Sequence, residues 1–258
     1  MEGYHRSSYG DAFADVYDDW YPGAEEADVT AALVAELVAG TAAADPGRVL
    51  ELAVGTGRLA LPLAARGLHV HGVDASAAML ERLRARDPDG TVTVHLGDMV
   101  DDLPAGPFDV VLVAYNSLFN LESAERQAAC FGAVAARLAP AGVFLVEAFV
   151  PEDPPREGTV VDVRNMTATE VVLSISTHDP VEQRAAGHFV SFTDGAAVRL
   201  RPWAIRYAGP DELDAMAAAA GLATLARWEG ADRRPFTPDS PRHVTVYGRP
   251  RDGRNKAT

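Results

Sequence analysis

Apolar and polar positions follow different periods in successive stretches of this chain, and each period predicts a different kind of element. Val29, Leu33 and Leu37 recur at helical spacing up to about Ala39, the mark of a helix with one apolar stripe. Gly40 and Asp45-Pro46-Gly47 break that pattern, as glycine and proline do. The next runs predict a strand at Arg48–Leu52, a helix from Arg58 to about Arg66 and a strand at Val70–Asp74. A helix then starts after Ser76, with Met79, Leu80 and Leu83 as its stripe, and strands follow at Thr91–Leu96 and Phe108–Ala114. Ser76 suits an N-cap, and Pro62 falls near a first helical turn, where proline is tolerated. Phe108–Ala114 is almost continuously apolar, as in strands buried on both faces of a parallel sheet. Residues 122–138 predict a helix, Leu138-Ala-Pro-Ala-Gly142 a turn, and Val143–Phe149 a fifth strand. Strands alternating with helices in this way predict an α/β fold with a doubly wound, mostly parallel sheet.

The period then switches to two. Val160–Val163, Val171–Thr177, His188–Phe192 and Val198–Tyr207 are β-branched or alternating segments, punctuated by Asp179-Pro180 and Asp194-Gly195. They predict an antiparallel insert of about four strands after strand 5. A helix at Pro210–Ala220 and strands at Ala223–Trp228 and His243–Gly248 return the chain to the main sheet, making seven strands there. The chain thus divides into an N-terminal helical lid segment (1–47), a core (48–158), the insert (159–208), closing elements (209–250) and a tail (251–258) expected to be disordered.

Chemistry enters at Val49–Arg58, where an apolar run ends in Glu51 and then a loop of small residues containing Ala53, Gly55 and Gly57. Such a loop lets backbone approach a ligand closely, and the helix start behind it offers unpaired N–H groups to an anion. Two ligands fit. Gly55-Thr-Gly57-Arg-Leu-Ala60, with Asp74 at about the spacing of a ribose-binding acid, satisfies the dinucleotide pattern. Glu51-x-Ala53-x-Gly55-x-Gly57 also resembles the first motif of class I S-adenosylmethionine (SAM)-dependent methyltransferases.

Composition narrows the partners. The chain has 258 residues and a formal net charge of −14, a field that repels nucleic acid. No apolar run approaches the roughly 20 residues of a membrane span, and the N-terminal residues have no signal-peptide pattern, so a cytoplasmic location is expected. Lys256 is the only lysine, which removes Schiff-base chemistry and the Tyr-x-x-x-Lys pair of one dehydrogenase class. Cys130 is the only cysteine, so there is neither a disulfide framework nor a cysteine metal site. The histidines have no metal-ligand spacing, and no metal is expected.

Further motifs extend the methyltransferase resemblance over residues 48–150. Asp74 ends strand 2 in Gly-Val-Asp-Ala-Ser, Asp98 follows strand 3 in Gly-Asp-Met, and strand 4 ends in Ala114-Tyr115-Asn116. Leu138-Ala-Pro-Ala-Gly142 resembles the family's Leu-x-Pro-Gly-Gly turn, with Ala141 where glycine is usual. The resemblance implies a Rossmann-like sheet with SAM as cofactor. It implies Glu51 near the cofactor's amino-acid end, Asp74 on the ribose hydroxyls and Asp98 on the adenine amine. Ala53, Gly55, Thr56, Gly57, Arg58, Ala75, Met79, Gly97, Met99, Ala114, Tyr115 and Asn116 complete the expected cofactor set. Residues 1–47 and the insert resemble, in layout, a subgroup that includes N-methyltransferases of nucleotide-linked amino sugars in antibiotic pathways.

Other candidates come from position. Tyr9, Tyr17, Trp20 and Tyr21 form an aromatic cluster that can lie over the cofactor, with ring faces near its sulfonium. Tyr17, Asn116, Glu147 and His178 are the candidates for positioning the acceptor or taking its proton, and His188 also lies in the insert. Arg201, Trp203, Tyr207, Arg233, Arg234 and Phe236 suit either a substrate wall or a homodimer interface. The expected partner is a small-molecule acceptor of a methyl group at N or O. The alternatives are a SAM- or S-adenosylhomocysteine-binding protein without transfer, and an NAD(P)-dependent oxidoreductase.

Overall fold

A computed structural model describes residues 1–41 and 46–250. Asp45 of the predicted break, and the tail residues 251–258 with Arg251, Arg254 and Lys256, lie outside the described residues.

The predicted alternation becomes a seven-stranded sheet. In chain order its first strands and helices are β1 (Arg48–Leu52), α4 (Ala60–Ala65), β2 (His69–Asp74), α5 (Ala77–Arg86), β3 (Val92–Leu96) and β4 (Phe108–Val113). Then come α6 (Ala124–Ala135), β5 (Leu138–Phe149), α7 (Pro210–Ala219), β10 (Ala223–Trp228) and β11 (Arg242–Gly248). The strand order is β10-β11-β5-β4-β1-β2-β3. Only β11 runs antiparallel to its neighbours, β5 and β10. Successive residues of β4 explain its apolar run: Val110 and Leu112 pack among buried residues of α4, α5 and the N-terminal helix Ala24–Gly40, Val111 and Val113 among those from the α6–α7 side. Strand order reverses where β1 lies between β2 and β4. The carboxyl ends at such a switch point open the crevice in which α/β sheets bind ligands.

Two expected boundaries move. The helix after the glycine loop begins at Ala60 rather than Arg58 and has 6 residues. Leu138–Gly142 belongs to β5 instead of forming a free turn: Leu138 pairs with Phe108, Val143 with Val110, and the register slips between them. The extra residues are taken up as a bulge.

The insert is a separate antiparallel sheet in the order β6 (Gly158–Met166), β7 (Glu170–Asp179), β8 (Arg184–Thr193) and β9 (Arg199–Arg206). Arg206 anchors its last strand by donating to Gln127 Oε1 of α6 at 2.9 Å and pairing with Glu212 of α7 at 2.5 Å. The N-terminal residues form α1 (Ser8–Phe13), α2 (Tyr17–Trp20) and α3 (Ala24–Gly40). The segment carrying α1 and α2 straps the insert to the core. Asp15 pairs with buried Arg201 of β9 at 2.5 Å, and Asp11 accepts from Ser76 Oγ at 2.6 Å. Asp18 accepts from Thr56 Oγ1 at 2.6 Å and pairs with Arg86.

Candidate active site

The β1 loop turns on three residues with positive φ, Ala53 (54°), Gly55 (55°) and Gly57 (83°). Gly57 is required for packing as well as conformation, since a Cβ there would meet Leu83 Cγ at 2.9 Å. The Gly55 N–H donates to Asp74 Oδ2 and the Ser76 N–H to Asp74 Oδ1, each at 2.8 Å. Asp74 therefore fixes the loop to the end of β2, and burial raises its pKa. Ser76 Oγ accepts from the Met79 N–H at 3.2 Å, the N-cap predicted for α5.

A narrow pocket with about 80 Å³ of open space lies above these strand ends. Ala53, Gly55, Asp74, Ala75 and Met79 form one wall, Gly97, Asp98 and Met99 a second. Asp98 is held by the Val100 N–H at 2.8 Å and by Arg126 at 2.6 Å. Tyr9 and Tyr17 close the top, together with Arg6 and Gly10. Sequence reasoning missed Arg6, Gly10, Val73, Ser117, Asn120 and Leu121. Ser117 and Asn120 sit on a 3₁₀ turn just after β4, so a strand-end rule extended by a few residues finds them. Nothing in the sequence signals Arg6. The open space is smaller than the roughly 300–1,000 Å³ of a typical ligand cleft, and strap residues Tyr9, Gly10 and Tyr17 are part of its lining.

Other expected cofactor residues lie elsewhere, for identifiable reasons. Thr56 is fully buried, its hydroxyl spent on Asp18, and Gly57 faces Leu83. Ala114 is in the core. The short helix places Arg58 away from the pocket, its guanidinium 3.4 Å from the centroid of the Tyr115 ring. The loop N–H groups expected to hold an anion are taken: Gly55 by Asp74, and Gly57 by Val54 O at 3.0 Å.

Arg58, Tyr115 and Asn116 instead line an adjoining chamber of about 560 Å³. Trp20, Tyr21, Phe149, Phe189 and Trp203 give it aromatic walls, and it shares Tyr9, Tyr17, Ser117 and Asn120 with the narrow pocket. Tyr115 and Asn116 hold left-handed φ values of 52° and 66°, a conformation uncommon for residues with a Cβ. It is held from behind: the Asn116 N–H donates to Glu147 O at 3.2 Å, and Asn116 Oδ1 accepts from the Phe149 N–H at 2.7 Å. Glu147 is buried behind this turn and lines neither cavity, its Oε2 accepting from the Tyr115 N–H at 3.4 Å. Burial raises its pKa. The Tyr115 hydroxyl is buried with no partner. His178 lies farther out, its Nε2 2.9 Å from Ser176 Oγ, and His188 lines none of these spaces. Among the proposed wall residues, Trp203 lines the chamber, whereas Arg201 is spent on Asp15. Arg233, Arg234 and Phe236 lie on the far side with Glu36, Glu229 and His243.

Glu51 carries the decisive polar feature. It is buried under the loop, its Oε2 has no hydrogen-bond partner, and burial pushes its pKa up to about 8. Glu51 lines neither cavity, and the Arg58 charge and the Ala60 N–H offset its burial only in part; a buried acid left under-satisfied favours a cation beside it, as the ammonium end of SAM would be.

Comparison with known proteins agrees with this geometry. A family model described as a methyltransferase domain matches residues 49–142. The dTDP-3-amino-3,4,6-trideoxy-alpha-D-glucopyranose N,N-dimethyltransferase of Streptomyces venezuelae is 30% identical over 189 residues, 72% of this chain and 78% of that protein. The chain belongs to the SAM-dependent methyltransferases. The structure of the CcbJ methyltransferase from Streptomyces caelestis superposes on this methyltransferase with a TM-score of 0.87 and 36% identity, covering 96% of this chain and 100% of that one. A cypemycin N-terminal methyltransferase from a Streptomyces species is 33% identical over 119 residues, 46% of this chain and about half (48%) of the relative. SAM is the methyltransferase's cofactor, and the dinucleotide reading of the loop falls away.

Proposed function

We propose that this enzyme transfers the SAM methyl group to a nitrogen of a small molecule held in the aromatic chamber. What carries this reading is that, among the described residues, the chamber lining holds no histidine and no unpaired carboxylate. Its lining carboxylate, Glu26, is paired with Arg242. Burial raises the pKa values of Tyr9, Tyr17 and Tyr115, Tyr17 to about 12, so their hydroxyls stay protonated. A neutral amine brings its own lone pair and needs no base; a hydroxyl acceptor would need one. SAM supplies the electrophilic methyl group. The protein's part is to hold the amine in line with it, exclude water and surround the charge with ring faces. Tyr17, Tyr115, Asn116 and Asn120 are among the hydrogen-bonding groups that line the chamber and can orient the acceptor; the product's proton leaves to solvent. Residues Ala53, Gly55, Asp74, Ala75, Met79, Gly97, Asp98 and Met99 hold the cofactor, with Glu51 at its ammonium. The relatives' names, a dTDP-amino-sugar N,N-dimethyltransferase and a cypemycin N-terminal methyltransferase, favour nitrogen as well. The test is production of S-adenosylhomocysteine with a panel of matched amines and alcohols. Turnover confined to alcohols, or SAM bound with no turnover of any acceptor, refutes the proposal.

We propose further that two copies pair through the outer face of the insert. By register, Val161, Val163, Ile175, Phe192 and Leu200 share one face of that sheet, opposite Phe189, Arg201 and Trp203. All five are exposed, Val161 and Val163 at 59%. A cluster of exposed apolar residues on a sheet face marks an interaction surface, and β6 leaves a free strand edge beside it.

A further inference from the structure

A third space adjoins the acceptor chamber: an outer pocket of about 720 Å³ with Phe149, Trp203 and Ile205 as shared walls, on the side away from the narrow pocket. This pocket lies between the chain just after β5, the inner face of the insert, and residues 238–241. A molecule whose nitrogen sits in the chamber and which extends past these three side chains would place its remote part in the outer pocket.

The chemistry of the outer pocket identifies that part. Its lining carboxylates are Glu152, Asp153 and Asp239, and its lining guanidinium is Arg156. Arg156 is already paired, with Glu152 at 3.2 Å and Asp162 at 3.5 Å. His178, the remaining basic group, has its pKa lowered by burial and is neutral at pH 7. The pocket thus carries an excess of negative charge within a chain whose net charge is −14. A diphosphate needs the opposite, guanidinium or ammonium groups free to fork onto its oxygens.

A second observation is independent of charge. Trp203 Nε1 is buried without a hydrogen-bond partner at the junction of the two spaces. An indole N–H can only donate, so it calls for an acceptor oxygen on the ligand, and Tyr207 adds a further ring to the outer wall.

We infer that the acceptor is an extended amine whose remote part is uncharged or cationic and bears hydroxyl or carbonyl oxygens, and that nucleoside diphosphate-linked amines are excluded. This rests on the N-methyltransferase reading above. It separates this enzyme from its Streptomyces venezuelae relative, named for a dTDP-linked substrate. Trp203 donates to an oxygen of the remote part, and the carboxylates of the outer pocket accept from its hydroxyl or ammonium groups.

The test has two arms. The first is calorimetric titration of the S-adenosylhomocysteine-loaded enzyme with dTDP. The second compares amines offered bare, as a neutral glycoside or amide, and as the dTDP-linked form. The expected results are no saturable dTDP binding below about 1 mM, and kcat/KM for the neutral extended form at least about tenfold above the dTDP-linked one, equivalent to about 1.4 kcal/mol. Trp203→Phe should lower kcat/KM for the extended amine more than for the bare amine. Saturable dTDP binding below about 1 mM, or preference for the dTDP-linked acceptor, overturns the inference. An enzyme that binds SAM but methylates no amine refutes the N-methyltransferase reading, and the dTDP titration then still decides the pocket.

Discussion

Glu51 concentrates the residue-scale physics of the site. Its pKa is raised from an ordinary 4.5 to about 8, so between those values the folded protein binds a proton that the unfolded chain has released. Its contribution to stability is therefore complete at acid pH and lost as pH rises toward 8. Binding a cation reverses the preference, because the cofactor's ammonium selects the ionised carboxylate. SAM affinity should accordingly rise with pH up to about 8, by at most tenfold per unit, and then level off. Glu51→Gln should flatten that profile, weaken SAM by about 2 kcal/mol at pH 8, and raise the cofactor-free melting temperature there. Calorimetry at several pH values, with thermal melts, reads all three. Tyr9 and Tyr17, both lining the narrow pocket, supply a second residue-scale expectation. Tyr9→Phe and Tyr17→Phe should each weaken SAM binding, and unchanged affinity in both would remove these hydroxyls from the cofactor site.

At the scale of elements, the strap formed by α1 and α2 lies over the narrow pocket and is the part proposed to control access. It is fastened to the insert by Asp15 on Arg201 and to the core by Asp11 on Ser76. α1 approaches so closely at Gly10 that a Cβ would meet Ser76 Cβ at 2.4 Å. Gly10→Ala should lift α1 from α5, weakening SAM roughly tenfold (about 1.4 kcal/mol) and speeding hydrogen exchange in residues 1–21. Exchange and affinity like those of the unaltered enzyme would mean that the strap does not close the pocket. Asp15→Ala strands a buried guanidinium, and because Asp15 is 35% exposed the cost should fall near the lower end of about 3–5 kcal/mol. A melting temperature unchanged by that substitution would show that Arg201 finds another partner.

For the whole molecule, two sheets divide the work. The parallel sheet supplies the cofactor end, and the insert supplies the roof and, on its outer face, the proposed contact between copies. Val161→Glu combined with Leu200→Glu should convert a dimer into a monomer by light scattering with the aromatic chamber intact; a monomeric unaltered enzyme overturns the interface. The seven strands, their mostly parallel arrangement and the acids at the strand ends were legible in the sequence because they depend on local period and on turn chemistry at fixed offsets; the strand order came from the structure. Arg48–Leu52 and Ala223–Trp228 form strands with the boundaries their residues suggested. The bulge that absorbs Leu138–Gly142 was not legible, since register depends on the partner strand. The site split along the same line. Gly55, Asp74 and Asp98, singled out by spacing along one chain segment, all line the narrow pocket, and SAM as cofactor was legible from the same motifs. Thr56 and Arg58 could not be placed in this way, because a hydroxyl or guanidinium goes to whichever partner the fold brings nearest: for these two, Asp18 of the strap and the Tyr115 ring. The sequence alone thus determined the scaffold and its cofactor, which follow from short-range pattern. Only the tertiary structure assembles the aromatic chamber proposed for the acceptor and sets the charge around it, because its walls come from segments far apart in the chain.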